Sequence, residues 1–212
     1  MSGSRKAPLR TFLALWPDVD MRAALAERAL AAARMCGGRA PRPDTLHLTL
    51  VFIGATAPDR IDALQQLMDA TVTPAFTLCF ERSGWWRHNG VAWLGTQTSP
   101  PALINLQDAL ARGVSRLGFS LDVRPYVPHL TLARDARRAP SAATVAPLEW
   151  RVDAFVLVAS DLTPDGPRYR ILHKTPLRTV ESRMAPASPL HAGGADESRP
   201  AKQLIEVEPE NQ

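Results

Sequence analysis

The chain has 212 residues, of which 45% are hydrophobic, and its formal net charge at pH 7 is +4. This length suits one domain of ordinary size with a tail, or two small lobes that share a core. The longest early apolar run, at 12–16, is broken by Pro17 and Asp18, so it is too short for a membrane span or a signal-peptide core. We therefore expect a cytoplasmic protein.

The charge is unevenly distributed along the chain. Residues 1–180 contain 22 lysines and arginines against 15 aspartates and glutamates, whereas residues 181–212 contain 3 against 6. Neutralising phosphates drives nucleic-acid binding, so the basic part favours a polyanionic partner. Because 20 of those 22 cations are arginine, genomic base composition explains the excess as well, and charge is supporting information only. Cys36 and Cys79 lack metal or redox spacing and are expected to remain thiols.

Hydrophobic periodicity and turn residues predict alternating strands and helices. In chain order we expect a strand at 10–16, a helix at 21–36, a strand containing His47, a helix at 58–70, strands at 76–85 and 91–95, a helix at 100–117, a strand containing His129, a polar loop at 135–147, and closing strands at 150–159 and 169–175. Asp18 or Asp20 can cap the first helix, and Gly37-Gly38 ends it.

This order of elements predicts an α+β protein. We expect two pseudo-symmetric lobes of antiparallel sheet, with helices outside and the two histidine-bearing strands facing a central cleft. Residues 1–9 are expected to be a frayed N-terminus, and residues 10–180 the folded domain. Residues 181–212 contain no aromatic residue and are rich in Pro, Ala, Ser and Glu, so a disordered tail is expected there.

A nine-residue pattern, Arg-Pro-x-x-x-His-Leu-Thr-Leu, occurs twice. It places His47 and Thr49 in the first half of the chain and His129 and Thr131 in the second, 82 positions later. Two copies in matching flanks indicate an internal duplication. On a strand, residues two positions apart share a face, so each copy presents one imidazole beside one hydroxyl. The leucines of the motif, on the opposite face, are Leu48, Leu50, Leu130 and Leu132.

Two imidazoles opposed across a cleft suit general acid–base catalysis. Imidazole titrates near pH ~6.5, so one ring can be protonated while the other is neutral. In-line displacement at phosphorus places the nucleophile and the leaving oxygen on opposite sides of the phosphate. A neutral histidine could then take a proton on one side while a protonated histidine gives one on the other. Thr49 and Thr131 would donate hydrogen bonds to the non-bridging oxygens.

The stretches HLTL at 47–50 and PHLTLAR at 128–134 resemble the two H-x-T-x motifs of the two-histidine phosphoesterase superfamily. The segments at 11–17 and 155–162, with Tyr169 downstream, are similar to the bacterial RNA 2′,3′-cyclic phosphodiesterases, also called 2′-5′ RNA ligases. The resemblance covers roughly residues 10–178.

The resemblance implies an enzyme without metal or cofactor that opens a 2′,3′-cyclic phosphate at an RNA 3′ end to give a 2′-phosphomonoester. Some members also join RNA through a 2′-5′ bond. His47 would be the proton donor and His129 the proton acceptor. Arg134 matches the arginine often found after the second motif; it would bind phosphate or pair with an acid, and we predict phosphate. We expect a monomer whose partners are RNA 3′ ends or small cyclic phosphodiesters.

The sequence also allows other functions. A zinc site needs more than two histidines, and the carboxylates show no ligand spacing. The enzyme could instead act on a small cyclic phosphodiester such as ADP-ribose cyclic phosphate, or the protein could be an RNA-end binding module with little turnover.

For several single residues outside the two motifs, the sequence allows more than one interpretation of their role. A third H-x-T, at His173 and Thr175, lacks the Arg-Pro flank and is interpreted as coincidence. His88 is expected in a solvated turn. Phe12 or Phe52 could stack a base, although a core role is favoured for each. At most one of Trp85 and Trp86 would face ligand, and Ser160 is a candidate for a phosphate or strand-end contact.

Overall fold

In the computed structural model, which describes residues 7–122, 124–141, 144–164 and 166–178, three helices pack on an eight-stranded antiparallel sheet. The helices are α1 (Val19–Cys36), α2 (Ile61–Ala70) and α3 (Pro101–Arg116). The strands are β1 (Leu9–Leu15), β2 (Leu48–Thr56), β3 (Phe76–Trp86), β4 (Val91–Gly95), β5 (His129–Ala133), β6 (Thr144–Val152), β7 (Ala154–Thr163) and β8 (Gly166–Pro176). The tail predicted at 181–212, and 1–6 of the frayed N-terminus, lie outside the described residues.

The α+β class is confirmed, but the sheet is one sheet and not two lobes. Its strand order is β6-β3-β4-β5-β2-β1-β7-β8. The two halves join where β2 pairs with β5, with Leu48 opposite Leu130. The histidine-bearing strands therefore lie side by side at the centre of the sheet instead of facing each other. The backbone edge of β2 that β1 leaves open pairs with the edge of β5 that β4 leaves open. None of the described helices has the length and hydropathy that crossing a membrane requires.

The internal repeat is longer than the motif that reveals it. The unit β1-α1-β2 recurs as β4-α3-β5. The start of β1 precedes the start of β4 by 82 positions, and the starts of α1 and α3 differ by the same 82, as do His47 and His129. The duplication thus covers a complete strand–helix–strand unit, and the two copies supply the centre of the sheet.

The ends of the helices follow local sequence rules. The Met21 amide donates a 2.8 Å hydrogen bond to Asp18 Oδ1, which confirms Asp18 as the cap of α1. Gly37 adopts φ 65° directly after Cys36 and ends α1 as expected. The helix predicted at 58–70 begins with a short 3₁₀ turn, Pro58–Arg60, and becomes α-helical from Ile61.

The strand predicted at 150–159 is wrong, because it combines parts of two strands. β6 ends at Val152 and pairs with β3 at one edge of the sheet. β7 begins at Ala154 and pairs with β1 in the other half. The exposed Asp153 is the one residue between the two strands, and neither Gly nor Pro marks the boundary. The polar loop predicted at 135–147 is correspondingly too long, since β6 already begins at Thr144.

The core lies between the helices and one face of the sheet. Leu25 of α1, Leu64 of α2 and Leu110 of α3 are fully buried in one cluster that also contains Leu48 and Leu130. A smaller cluster, formed by Phe12, Ala14, Val156 and Val158, involves the neighbouring residues of β1 and β7 that alternate with the core leucines. The two motifs thus bury their leucines under the helices.

The third H-x-T holds a carboxylate of the same chain. His173 Nε2 lies 2.7 Å from Asp69 Oδ1, and the Thr175 hydroxyl donates to the same oxygen at 2.8 Å. These hydrogen bonds hold the pKa of the Asp69 carboxyl below its usual value. This H-x-T therefore ties β8 to α2, a structural role in place of the coincidence inferred from sequence.

Replacing Asp69 by Ala is expected to lower the free energy of unfolding at pH 7. Since the folded-state pKa of Asp69 is depressed, its contribution is present above the unfolded pKa of ~3.9 and is lost as pH falls through the folded value. Urea unfolding of wild type and Asp69→Ala at pH 7 and pH 3 measures this. Asp108→Ala is the control, because the Asp108 carboxylate makes only a weak ion pair, at 3.9 Å from Arg112, on an exposed helix face. An equal loss at both pH values would contradict the expectation.

Candidate active site

A cavity of about 670 Å³ opens on the sheet face opposite the core. All five predicted site residues line it: His47, Thr49, His129, Thr131 and Arg134. Residues from distant parts of the sequence therefore meet in one place, as the duplicated motif predicts. Their chemical roles stay predictions.

The strand register explains the arrangement of the two motifs. With Leu48 opposite Leu130 in an antiparallel pair, His47 is placed towards Thr131 and Thr49 towards His129. The two histidines are diagonal neighbours, which in regular pairing corresponds to about 7–8 Å. A tetrahedral anion between them would have one imidazole on each side.

Each histidine is held by the same backbone contact. Nδ1 of His47 donates to the carbonyl oxygen of Thr45 at 2.7 Å, and Nδ1 of His129 donates to that of Val127 at 2.8 Å. These contacts place the proton of a neutral ring on Nδ1, so Nε2 is the nitrogen available for proton transfer. Nε2 of His47 lies 3.1 Å from Thr49 Oγ1, within hydrogen-bonding distance of its motif partner.

The flank of the second motif also ties the two halves together. Tyr126, in this flank, donates its hydroxyl to the carbonyl oxygen of Thr49 in the first motif, at 3.2 Å. Burial raises the pKa of the Tyr126 hydroxyl, so this group remains a donor at neutral pH. Arg42, in the first flank, lines the cavity and pairs with Asp44.

The cavity is strongly cationic. Arg10, Arg39, Arg42 and Arg134 line it, and the described residues that line it include no carboxylate. Arg39 pairs with Asp135 at 2.9 Å, whereas no carboxylate within the described ranges forms an ion pair with Arg134. This environment favours a phosphate contact for Arg134 over an acid partner. The sequence did not identify Arg10 and Arg39 as site residues, because they lie outside the repeated motifs and their positions along the chain do not show that they reach the cavity.

Aromatic rings surround the two histidines unequally. The His47 ring lies 4.9 Å from Phe12, 5.5 Å from Trp16 and 5.3 Å from Tyr169, measured between ring centroids. The His129 ring meets Trp86 at 4.5 Å. Trp16 and Tyr169 fall in the segments that carry the family resemblance, but the sequence assigned them no role.

The structure gives the positions of the single residues whose role the sequence left open. Phe12 is buried but also lines the cavity, whereas Phe52 is 48% exposed, lines the cavity and carries the Arg10 guanidinium 4.7 Å above its ring. Ser160 also lines the cavity. Trp85 donates its Nε1 proton to the Ala136 carbonyl, which leaves Trp86 as the residue near the site. His88 is exposed, as expected.

The surroundings of both motif histidines disfavour the protonated imidazolium form. Burial lowers the pKa of His47 to about 4, opposed by the Thr45 carbonyl, while the charges of Arg134 and His129 lower it further. Burial also lowers the pKa of His129, opposed by the Val127 carbonyl and reinforced by Arg134. A bound anion would act in the opposite direction, because it stabilises the charged imidazolium. The described residues contain no cluster of three or more His, Cys, Asp or Glu side chains able to hold a metal ion.

Two histidine–threonine pairs thus lie on one sheet face, in a cavity lined by arginines, which is the chemistry expected of a site for an anion beside groups able to transfer protons. The model of the 2′-5′ RNA ligase superfamily matches residues 20–164, and the chain belongs to this family. It is 37% identical over 145 residues to the RNA 2′,3′-cyclic phosphodiesterase of Escherichia coli K12, covering 66% of this chain and 78% of that protein. It is 32% identical over 188 residues to the RNA 2′,3′-cyclic phosphodiesterase of Thermus thermophilus, covering 82% of this chain and 93% of that protein.

Solved structures are also similar to this chain over most of its length. The crystal structure of E. coli LigT complexed with 3′-AMP matches with a TM-score of 0.71 and 32% identity, over 80% of this chain and 98% of that one. The crystal structure of the same protein complexed with phosphate matches with a TM-score of 0.67 and 30% identity, over 81% of this chain and 99% of that one.

In the free protein we expect the His47 ring to titrate near pH 4 and the His129 ring below pH 6.5. Adding inorganic phosphate should raise both values, because the anion favours the imidazolium forms. NMR of ¹⁵N-labelled histidine measures each titration. The exposed His88, which does not line the cavity, is the internal control. Ordinary titration of both motif histidines, with no response to phosphate, would contradict the cavity electrostatics.

Proposed function

We propose that the protein hydrolyses RNA 2′,3′-cyclic phosphate ends to 2′-phosphomonoesters, with His47 and His129 as the proton-transfer pair. The observation that carries this proposal is the convergence of both histidine–threonine pairs and four arginines in one cavity. The names of the relatives, RNA 2′,3′-cyclic phosphodiesterases from several organisms, support the substrate class.

The reaction requires one proton to be removed and one to be supplied. Water attacks phosphorus, and His129 Nε2 accepts a proton from it as the new P–O bond forms. The bond from phosphorus to the 3′ oxygen breaks, and protonated His47 Nε2 gives its proton to that oxygen. The products are a 2′-phosphate and a 3′-hydroxyl. His129 then releases its proton to solvent and His47 takes one up from solvent, which restores both histidines.

The threonines and Arg134 would stabilise the phosphoryl oxygens. Their side chains line the cavity beside the histidines, where negative charge increases as water adds to phosphorus. The anionic substrate itself would favour protonated His47, against the burial that lowers the pKa of this residue in the free protein. The division of roles between the histidines follows the family resemblance, since their backbone contacts are equivalent.

Replacing His47 or His129 by Ala is expected to lower kcat about 10²–10⁴-fold, the usual value of one general acid or base. The measurement is ³¹P NMR of an oligonucleotide ending in a 2′,3′-cyclic phosphate. His173→Ala is the matched control, because it removes a histidine from an H-x-T on the same sheet whose partner is Asp69. Equal losses in all three variants, or activity abolished by EDTA, would contradict a metal-free histidine pair.

The same assay should separate related activities. A cyclic mononucleotide in place of the oligonucleotide tests whether small cyclic phosphodiesters are preferred. An RNA with a 5′-hydroxyl tests 2′-5′ joining, in which this hydroxyl replaces water as nucleophile. Tight binding of the cyclic end without product after long incubation would favour the binding-module alternative.

The pH dependence follows from the lowered pKa values. The donor must be protonated and the acceptor neutral, so kcat/KM should be bell-shaped. Because both pKa values lie below 6.5 in the free protein, kcat/KM should fall about tenfold per unit as pH rises above ~6.5. Initial rates at low substrate concentration between pH 4 and 8.5 measure the profile. A rate independent of pH between 5 and 8 would contradict the acid–base pair.

A further inference from the structure

The two motif histidines share their backbone contacts but not their surroundings. The Trp16 and His47 rings are nearly parallel, at an interplanar angle of 12° and a centroid distance of 5.5 Å. The Trp86 and His129 rings instead meet at 76°. In the internal repeat, the position 82 residues after Trp16 is occupied by Thr98, so the second copy has no equivalent ring. The stacked indole is thus specific to one histidine.

Trp16 is firmly placed behind His47. It follows β1 directly and precedes Pro17 and the cap of α1, which restricts its backbone. The Tyr169 ring meets both Trp16, at 6.0 Å and 79°, and His47, at 5.3 Å and 90°. The imidazole is therefore confined by stacked and edge-on rings, while its Nδ1 is held by Thr45. One orientation of Nε2 results.

Trp16 acts on the site only through His47. Among the described residues that line the main cavity, Trp16 is not included. It lines a separate cavity of about 250 Å³ together with Pro17, Val156 and Ile171. A ligand in the main cavity would contact the imidazole and not the indole.

We propose that Trp16 is a positioning residue that fixes the His47 ring and stabilises its protonated form for donation to the leaving oxygen. This inference rests on the proposed function. The charged and titratable groups near His47 are Arg134 and His129, whose positive charges oppose protonation, and the Tyr169 hydroxyl, whose pKa is raised by burial so that it stays neutral. The face of an indole attracts a cation, so Trp16 offsets part of this opposition.

The test compares Trp16→Leu and Trp16→Phe with wild type. Loss of the indole should lower the pKa of His47 by about one unit in the leucine variant and by less in the phenylalanine variant. Above both histidine pKa values, kcat/KM depends on the fraction of protonated donor, so the leucine variant should lose about tenfold at pH 8. Because the pKa of His47 is already about 4, the loss should stay near tenfold down to about pH 5 and shrink only around and below pH 4, where the donor becomes protonated.

Trp86→Leu is the matched control, because it removes the ring beside the acceptor His129. Its effect should be larger on the acid side of the profile. An unchanged His47 titration by NMR in Trp16→Leu would overturn the proposal, and so would an unchanged kcat/KM at pH 8. If the leucine variant fails to fold by urea titration, Trp16→Phe supplies the same comparison with a smaller shift.

The NMR titration also separates this inference from the proposed function. Wild type without turnover of cyclic phosphate would refute the function, while a lower His47 pKa in Trp16→Phe would still establish the stacking effect. Turnover in wild type with no change in either Trp16 variant would refute the positioning role alone.

Discussion

The pairing of β2 with β5 is the constraint on which the site depends. Leu48 and Leu130 are partners across the two strands, and both are fully buried under the helices. Because side chains alternate along a strand, burying these leucines forces the histidines and threonines onto the opposite face. A slip of one residue would turn the imidazoles into the core. The hydrophobic core therefore sets the register that assembles the polar site.

Features that depend on near neighbours could be predicted from the sequence. Asp18 and Gly37 mark the ends of α1 because caps and left-handed turns are decided within a few residues. The shared face of His47 and Thr49 follows from strand periodicity alone. Repetition of that unit then sufficed to predict that two imidazoles and two hydroxyls would meet, which the cavity confirms for their positions.

Features that depend on distant partners could not be predicted in the same way. The strand pairing that joins both halves in one sheet, and the passage of the chain from β6 to β7 across Asp153, are choices between partners far apart in sequence. Asp153 is the one residue between these strands, and neither Gly nor Pro marks the change of partner. Similarly, nothing local indicates that Asp69 will bind His173, or that Trp16 will stack on His47.

A duplicated fold gives two equivalent histidines, yet acid–base catalysis needs two different ones. The carbonyls of Thr45 and Val127 are equivalent contacts, and Arg134 lowers the pKa of both imidazoles, so neither feature distinguishes donor from acceptor. The difference must come from residues that the duplication does not repeat. Trp16 is one of these, since it stacks on a single imidazole and contributes an interaction that depends on the charge of that ring. The repeat thus supplies the geometry, and the unrepeated aromatic surroundings supply the asymmetry that the chemistry requires.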